Sequence, residues 1–271
     1  MRRLDFKDHR RELGENAYIY AVVSRRARGL SIGVNLNPDK ACNFDCPYCQ
    51  VDRTIPGGPR KIDLPRLREE LEHLLGLVNR GELWHTPPFD TAAPALRRVA
   101  DIAVAGDGEP TTPPEFPAAA RIVRECRDRL APGVPVRLLT NATMLHLPRV
   151  QAALADIDEP WCKLDAGTEA YFRVVDGTKF AFDRILANLR DTAARRPIVV
   201  QSMFMTLDGE GPTDAEIDAW VSRLVEIRPC EVQVYSVARK PSDPRVAPLP
   251  SDRLTHIASC AREAGLVVTV A

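Results

Sequence analysis

Three cysteines within eight residues form the most reactive grouping in this sequence. Cys42, Cys46 and Cys49 lie in the segment ACNFDCPYCQ, separated first by three residues and then by two. Thiolates spaced in this way on one loop can converge on a single metal centre. Structural zinc sites usually take four protein ligands from two paired loops, and the sequence has no second cysteine pair beside the first. An iron–sulfur cluster held by three cysteines leaves one iron open to an outside ligand.

A glycine-rich turn provides a second candidate site. The segment GDGEP occupies positions 106–110 and follows an apolar run at 101–105. Glycines such as Gly106 and Gly108 allow the backbone to approach a ligand closely. The Glu109 carboxylate is suited to pairing with an ammonium group. An ordinary Gly/Pro turn is the alternative interpretation.

Polar residues follow or occupy the later predicted strands. Asn141 comes directly after one strand, and its amide can both donate and accept hydrogen bonds, although Asn is also a common turn former. Lys163 and Asp165 are two residues apart, so on a strand they share one face. They are the candidate catalytic residues, as a buried pair that positions substrate or cofactor, with a structural ion pair as the alternative. Gln201 is a candidate ribose contact on the next strand.

The cysteine spacing resembles that of the radical SAM superfamily, in which an aromatic residue precedes the last cysteine. Tyr48 fills that position. The GDGEP segment is similar to the Gly-Gly-Glu-Pro motif of the same family, with Asp107 in place of a glycine. Asn141 matches a family Thr-Asn-Gly sequence, with Ala142 in place of the glycine. The resemblance covers roughly residues 30–240.

Two later segments are similar to one branch of that family, the tRNA-wyosine-synthase-like proteins. These are the Leu-Asp-Ala sequence at 164–166 and the Arg-Lys-Pro sequence at 239–241. The resemblance implies a [4Fe–4S] cluster on the three cysteines, with S-adenosylmethionine (SAM) bound through its amino and carboxylate groups to the open iron. In the family, the reduced cluster cleaves SAM, and the resulting 5′-deoxyadenosyl radical abstracts hydrogen from the substrate. The expected cofactor contacts are Tyr48, Gly106, Gly108, Glu109, Asn141 and Gln201.

Other functions remain open alternatives at this point. They are a tRNA base-modifying radical enzyme, an activase for a glycyl-radical enzyme, and a non-catalytic iron–sulfur or zinc-binding module. Zero net charge and a 6% aromatic content weigh against RNA, although basic clusters at 25–28 and 195–196 could contact phosphates. The sequence therefore favours a small molecule or peptide as substrate, with a flavodoxin- or ferredoxin-type protein as the implied electron donor.

Strands and helices alternate along most of the chain, which predicts βαβ units and a parallel sheet. The predicted class is α/β, a partial (β/α)6 parallel barrel with a short C-terminal helix–strand extension. The predicted divisions are an N-terminal arm at 1–28, the barrel at 29–240, and a linker, helix and strand at 241–271. Predicted strands lie at 31–35, 101–105, 134–140, 161–165, 198–204, 231–237 and 266–270.

The composition is that of an ordinary globular protein. The chain has 271 residues, 45% of them hydrophobic, with 37 basic and 37 acidic side chains. The sequence shows no apolar stretch of membrane-spanning length and no secretory signal, so we expect a cytoplasmic protein without membrane contact. The four cysteines outside the cluster motif are expected to be buried core thiols. They are Cys126, Cys162, Cys230 and Cys260.

Replacing Cys42, Cys46 and Cys49 together by alanine is expected to abolish the brown colour and the bound iron after anaerobic reconstitution with iron and sulfide. Replacing Cys126 alone is expected to leave both unchanged, because a single distant thiol is not a ligand in this interpretation. Iron analysis and the absorption spectrum check both outcomes. An equal requirement for Cys126 would show that the ligands are wrongly assigned.

Overall fold

The computed structural model describes residues 16–24, 29–239, 241 and 243–271. Two features named in the sequence lie outside the described residues. They are the basic cluster at 25–28 and Lys240 of the Arg-Lys-Pro segment. The chain divides into two compact units. The first contains the chain up to Ala41 together with 56–139 and 148–159, and the second contains 42–55, 140–147 and 160–271.

The first unit is built on strands that are buried on both faces, as their near-continuous apolar sequences predict. β1 pairs antiparallel with β2, whereas β2 with β3 and β3 with β4 pair in parallel. The strands are β1 (Ile19–Ser24), β2 (Gly29–Val34), β3 (Val99–Val104) and β4 (Val136–Thr140, whose last residue belongs to the second unit). The helices of this unit are α1 (Leu64–Asn79), α2 (Phe116–Leu130) and α3 (Pro148–Ala153).

The second unit continues the alternation of strands and helices. β5, β6, β7 and β9 pair in parallel in that order, and β8 pairs antiparallel with β6. The strands are β5 (Glu159–Lys163, whose first residue belongs to the first unit), β6 (Val199–Leu207), β7 (Glu231–Ser236), β8 (Val246–Pro248) and β9 (Val268–Val270). The helices are α4 (Glu169–Asp176), α5 (Phe182–Ala193), α6 (Asp214–Ile227) and α7 (Ser251–Glu263).

The prediction of an α/β protein with a mostly parallel sheet is confirmed. β1 lies within the segment that the sequence suggested to be an arm, and β8 lies within the suggested linker. Both strands pair antiparallel, outside the βαβ alternation on which the prediction relied. The three predicted divisions of the chain stay predictions. None of the described helices is both long enough and apolar enough to cross a membrane.

The cysteines outside the cluster motif divide into two kinds. Cys126 and Cys162 are buried, as predicted, and burial raises the pKa of the Cys126 thiol. Cys230 is exposed and Cys260 is partly exposed, so the prediction of buried thiols is wrong for these two. Cys230 stands in the connection that precedes β7, and Cys260 lies on α7 but is not among the buried residues of that helix.

A single carboxylate anchors the chain entering β1. Glu70, on α1 and only 8% exposed, accepts backbone N–H bonds from Ala17 (2.9 Å), Tyr18 (2.8 Å) and Ile19 (3.1 Å). Arg66, one helical turn earlier, pairs with the same carboxylate at 2.8 Å. Hydrogen bonds to a charged acceptor are stronger than neutral ones, so Glu70 supplies most of the polar contact between α1 and the start of β1.

Glu70→Ala is expected to lower the free energy of unfolding by about 2–4 kcal/mol, because three N–H donors, two of them buried, lose a charged acceptor. Urea denaturation followed by circular dichroism measures the change. Glu69→Ala is the matched control: Glu69 is the neighbouring, exposed residue of the same helix, and its loss should change stability by about 0.5 kcal/mol or less. Equal effects of the two substitutions would contradict the anchoring role of Glu70.

Candidate functional site

The cysteine loop, residues 42–49, belongs to the second unit. Cys42, Cys46 and Cys49 form no disulfide bond, and each is partly exposed. The Cys49 N–H donates to the Cys46 carbonyl oxygen at 2.9 Å, which closes a turn between these two residues. The guanidinium of Arg53 donates to Cys49 Sγ at 3.3 Å. Within the part of the chain that the structure describes, no three His, Cys, Asp or Glu side chains are gathered to hold one metal ion. In a cluster of several irons, by contrast, each thiolate binds a different iron atom.

The segment that ends α4 holds the cysteine loop through backbone hydrogen bonds. The Asp45 N–H donates to the Asp176 carbonyl oxygen at 3.1 Å. The Thr178 hydroxyl donates to the Asn43 carbonyl oxygen at 3.0 Å. Two main-chain groups of the loop, one on each side of Phe44, are therefore fixed by residues that are more than 130 positions later in the sequence.

Close packing strengthens the same contact. Gly177 follows α4 with φ +55°, in the left-handed region, and a Cβ at this position would overlap the Asp45 carbonyl oxygen. Only glycine meets both conditions without strain. The ring of Phe44 meets that of Phe172 edge-on, with centroids 5.6 Å apart. The cysteine loop therefore rests directly on α4.

The start of α4 is fixed in turn by α6. Thr213 caps α6 by accepting the Glu216 N–H at 3.2 Å. The Glu216 carboxylate accepts the backbone N–H groups of Gly167 (2.5 Å) and Thr168 (3.1 Å) and the Thr168 hydroxyl (2.6 Å). An anionic side chain at a helix N-terminus is stabilising, so both ends of α4 are held in place.

Asn141 lies against the cysteine loop. Its amide nitrogen donates to the side-chain oxygen of Asn43 at 2.6 Å. Its own oxygen accepts from the Thr143 N–H and hydroxyl at 3.2 and 2.7 Å. Asn141 therefore forms a turn and also contacts the loop, while its predicted contact with the cofactor stays a prediction. Ala142 has φ +66°, which is the conformation that the glycine of the family sequence would adopt without strain.

Lys163 and Asp165 form the buried ion pair that the sequence predicts. Lys163 Nζ contacts the Asp165 carboxylate and the Tyr48 hydroxyl, and it lies 2.7 Å from Asp176 Oδ1. Tyr48 also donates to Asp165, and the Met203 N–H donates to the other oxygen of Asp165 at 2.9 Å. Asp176 is the member of this group that sequence reasoning missed. We name these four side chains, Tyr48, Lys163, Asp165 and Asp176, the charged cluster.

Burial and the neighbouring charges shift the pKa values of Lys163, Asp165 and Asp176. Burial opposes the charge of Lys163, but the Asp165 and Asp176 carboxylates raise the pKa of its ammonium group well above the ordinary value. Burial also raises the pKa of Asp165 and brings that of Asp176 to about 7, against the opposing effect of Lys163. Cys46 Sγ lies 3.6 Å from Asp176 Oδ1, and burial raises the pKa of this thiol as well.

Gln201 is buried on β6 and its amide nitrogen donates to Gln233 Oε1 at 2.8 Å. Gln233, on β7, lies within 3.4 Å of the Glu231 carboxylate. These side chains form a polar row across two parallel strands. The ribose contact predicted for Gln201 stays a prediction.

The GDGEP turn belongs to the first unit, where Asn35 organises it. The Asn35 side-chain oxygen accepts the Asp107 N–H at 3.1 Å, and its amide nitrogen donates to the Asp107 carboxylate at 2.8 Å. A Cβ on Gly106 would overlap Asn35, and one on Gly108 would overlap the Ala41 carbonyl oxygen. Gly106 and Gly108 are therefore required, because neighbouring atoms approach the backbone closely at both positions. Asp107 stands where the family has a glycine, and its side chain is accommodated by a hydrogen bond with Asn35.

The acidic residue of this turn is buried. Glu109 is 2% exposed, and its carboxylate accepts the Thr111 N–H at 3.1 Å and the Thr111 hydroxyl. Asn37 lies beside Gly108 and Thr112 and is 2% exposed. Its side-chain oxygen is buried without a hydrogen-bond partner. A buried acceptor without a donor is costly, and an ammonium group is a donor that would satisfy it. The turn therefore offers a buried acceptor that suits an ammonium group.

The sequence signals for the missed residues were weak. Asp176 precedes a glycine at the end of a helix, which predicts a helix terminus and not a partner for a cysteine. Asn37 was part of the Asn-Leu-Asn-Pro segment before the cysteines, and its lack of a partner is visible only in three dimensions.

Comparison with protein families supplies the classification. The model of the radical SAM superfamily matches residues 36–224, a span that contains the cysteine loop, the GDGEP turn and the charged cluster. The chain belongs to the radical SAM superfamily. This match confirms the resemblance that the sequence indicated. Enzymes of this family use SAM and an iron–sulfur cluster.

The relatives of this chain by sequence are distant. UPF0026 protein MJ1312 of Methanocaldococcus jannaschii is 23% identical over 246 residues, which cover 88% of this chain and 69% of that protein. A UPF0026 protein of Helicobacter pylori is 27% identical over 161 residues, covering 58% of this chain and 46% of the relative. This chain therefore spans about half the length of the latter protein.

Solved structures confirm the predicted fold. A radical SAM methyltransferase from Sphaerobacter thermophilus superposes with a TM-score of 0.64 at 14% identity, over 93% of this chain and 68% of the other. TYW1 with a bound lysine–pyruvate adduct gives a TM-score of 0.61 at 14% identity, over 91% of this chain and 84% of the other. The shared architecture is the partial barrel of this superfamily, mixed α/β with a mostly parallel sheet.

Gly177→Ala is expected to displace the cysteine loop, because the new methyl group overlaps the Asp45 carbonyl oxygen. The cost combines about 1–2 kcal/mol for a left-handed residue with about 1–3 kcal/mol for overpacking. Iron content after reconstitution and urea unfolding measure the effect. Gly209→Ala is the control, since Gly209 has φ +85° and a methyl group added there would have no neighbouring atom within 4 Å. The Gly209→Ala variant should lose only the stability that the left-handed backbone costs, and it should keep its iron. A Gly177→Ala variant that behaved in the same way would contradict the contact between Gly177 and the Asp45 carbonyl oxygen.

Proposed function

We propose that this chain binds a [4Fe–4S] cluster through Cys42, Cys46 and Cys49 and uses it to cleave SAM reductively. When bound, the cluster supplies one electron to the sulfonium of SAM, which releases a 5′-deoxyadenosyl radical for hydrogen abstraction from a substrate. The observation that carries the proposal is the set of three cysteine thiols on one loop, which is hydrogen-bonded to the end of α4. The three-thiol set leaves one iron for SAM.

Glu109 and Asn37 are the contacts proposed for the amino group of SAM. Glu109 provides a buried carboxylate, and the unpartnered oxygen of Asn37 provides a second acceptor beside Gly108. A protonated amine donates up to three hydrogen bonds, so it would satisfy both acceptors. Cofactor contacts by Tyr48, Asn141 and Gln201, and catalytic roles for Lys163 and Asp165, are further parts of this proposal.

The proposed substrate is a small molecule or a peptide. The balance of 37 basic and 37 acidic residues gives no overall attraction for a polyanion, and the 6% aromatic content offers few surfaces for base stacking. We further propose a flavodoxin- or ferredoxin-type electron donor and a cytoplasmic location, where a reducing environment keeps the three thiols free.

The test is anaerobic reconstitution with iron and sulfide, reduction by dithionite, and electron paramagnetic resonance with and without SAM. We expect the signal of a reduced four-iron cluster, and we expect SAM to change that signal by binding the open iron. A colourless protein that binds one zinc ion, or a cluster indifferent to SAM, would overturn the proposal.

Glu109→Gln tests the amino-group contact in the same experiment. Loss of a charged hydrogen bond worth about 1.5–3 kcal/mol should raise the SAM concentration needed for the spectral change by about tenfold or more, with the cluster content unchanged. Glu69→Gln, an exposed position in the same unit, should leave the SAM dependence unaltered.

A further inference from the structure

The charged cluster stands next to Cys46, one of the proposed ligands of the iron–sulfur cluster, and the proposed function assigns no role to this contact. We propose that Lys163 and Asp176 are positioning residues that set the reduction potential of the iron–sulfur cluster by placing two opposite charges beside Cys46. This inference rests on the proposed function, because it requires a cluster bound to Cys46.

The distances support a direct electrostatic effect. Asp176 Oδ1 lies 3.6 Å from Cys46 Sγ and 2.7 Å from Lys163 Nζ. The side chains of Asp176 and Lys163 are 1% and 17% exposed. Charges that are buried to this degree are screened far less than charges in water, so each acts strongly on the sulfur atom and on what the sulfur binds.

The two charges are also fixed in place. The Lys163 ammonium has three donors, and the structure gives it three oxygen partners, on Tyr48, Asp165 and Asp176. Asp165 is held by the Met203 N–H. Asp176 is the last residue of α4, and its carbonyl oxygen accepts the Asp45 N–H of the cysteine loop. Neither charge can therefore turn away from Cys46 without breaking several contacts.

The sign of each effect follows from the charge. Reduction adds one electron to the cluster, supplied by an external donor, and no bond is made or broken in this step. The added negative charge is stabilised by the Lys163 ammonium and opposed by the Asp176 carboxylate. Removing the positive charge should therefore make the cluster harder to reduce, and removing the negative charge should make it easier to reduce.

The experiment is a redox titration of the reconstituted full chain with dithionite and mediators, monitored by electron paramagnetic resonance. Lys163→Gln is expected to lower the midpoint potential and Asp176→Asn to raise it. The double variant should return toward the parent value, since both charges are then absent.

Two controls separate charge from structure. Lys163→Arg keeps the positive charge and should leave the potential close to that of the parent protein. Lys179→Gln removes a positive charge from an exposed position of the same unit, where water screens it, and should have no effect. A purely structural role predicts loss of bound iron without shifts of opposite sign.

The outcomes distinguish this inference from the function on which it rests. If the parent chain takes up no cluster that responds to SAM, the proposed function fails first. If the cluster forms but the two neutral variants leave the potential unchanged, or shift it in the same direction, only the present inference is overturned. If Lys163→Gln does not fold, the upward shift of Asp176→Asn decides. Loss of the cluster in both variants would assign the charges to assembly and would also overturn the inference.

Discussion

The contact between the cysteine loop and the residues that end α4 is the constraint on which the second unit depends. The loop has little regular structure of its own, so its course is determined by the Asp176 carbonyl, the Thr178 hydroxyl and the space that Gly177 leaves open. α4 is in turn fixed at its start by Glu216. The three thiols, which are close in sequence, thereby take defined orientations. A metal cluster requires this, because its ligands must be oriented before they bind.

Buried charge is the second physical feature of this region. Lys163 sits among two carboxylates and a phenol, and none of these groups could be removed from water singly without a large desolvation penalty. Together they satisfy one another, and the Met203 N–H completes the partners of Asp165. Such a network contributes little to stability compared with apolar packing of the same volume. The proposed effect on the reduction potential of the iron–sulfur cluster accounts for the position of this network beside Cys46, whereas a contribution to stability does not.

The first unit shows how a family motif tolerates substitution. Asp107 stands where the family has a glycine, and Asn35 accommodates it by donating to its carboxylate while accepting its N–H. The two glycines that remain, Gly106 and Gly108, are those at which a Cβ would collide with neighbouring atoms. The turn therefore keeps glycine where backbone approach demands it and accepts a side chain where a partner is available.

The amino-acid sequence by itself determined the superfamily and the class of fold. Cysteine spacing indicated the radical SAM superfamily, and apolar runs alternating with amphipathic helices indicated a mostly parallel α/β architecture, because both are local patterns that a short segment carries completely. The pairing of Lys163 with Asp165 was also predictable, since strand geometry places them on one face. Only the tertiary structure decided that Asp176 joins them, that α4 supports the cysteine loop, that β1 enters the sheet and that Asn37 keeps an unpartnered oxygen. These features depend on contacts between residues far apart in the chain, which no local pattern encodes.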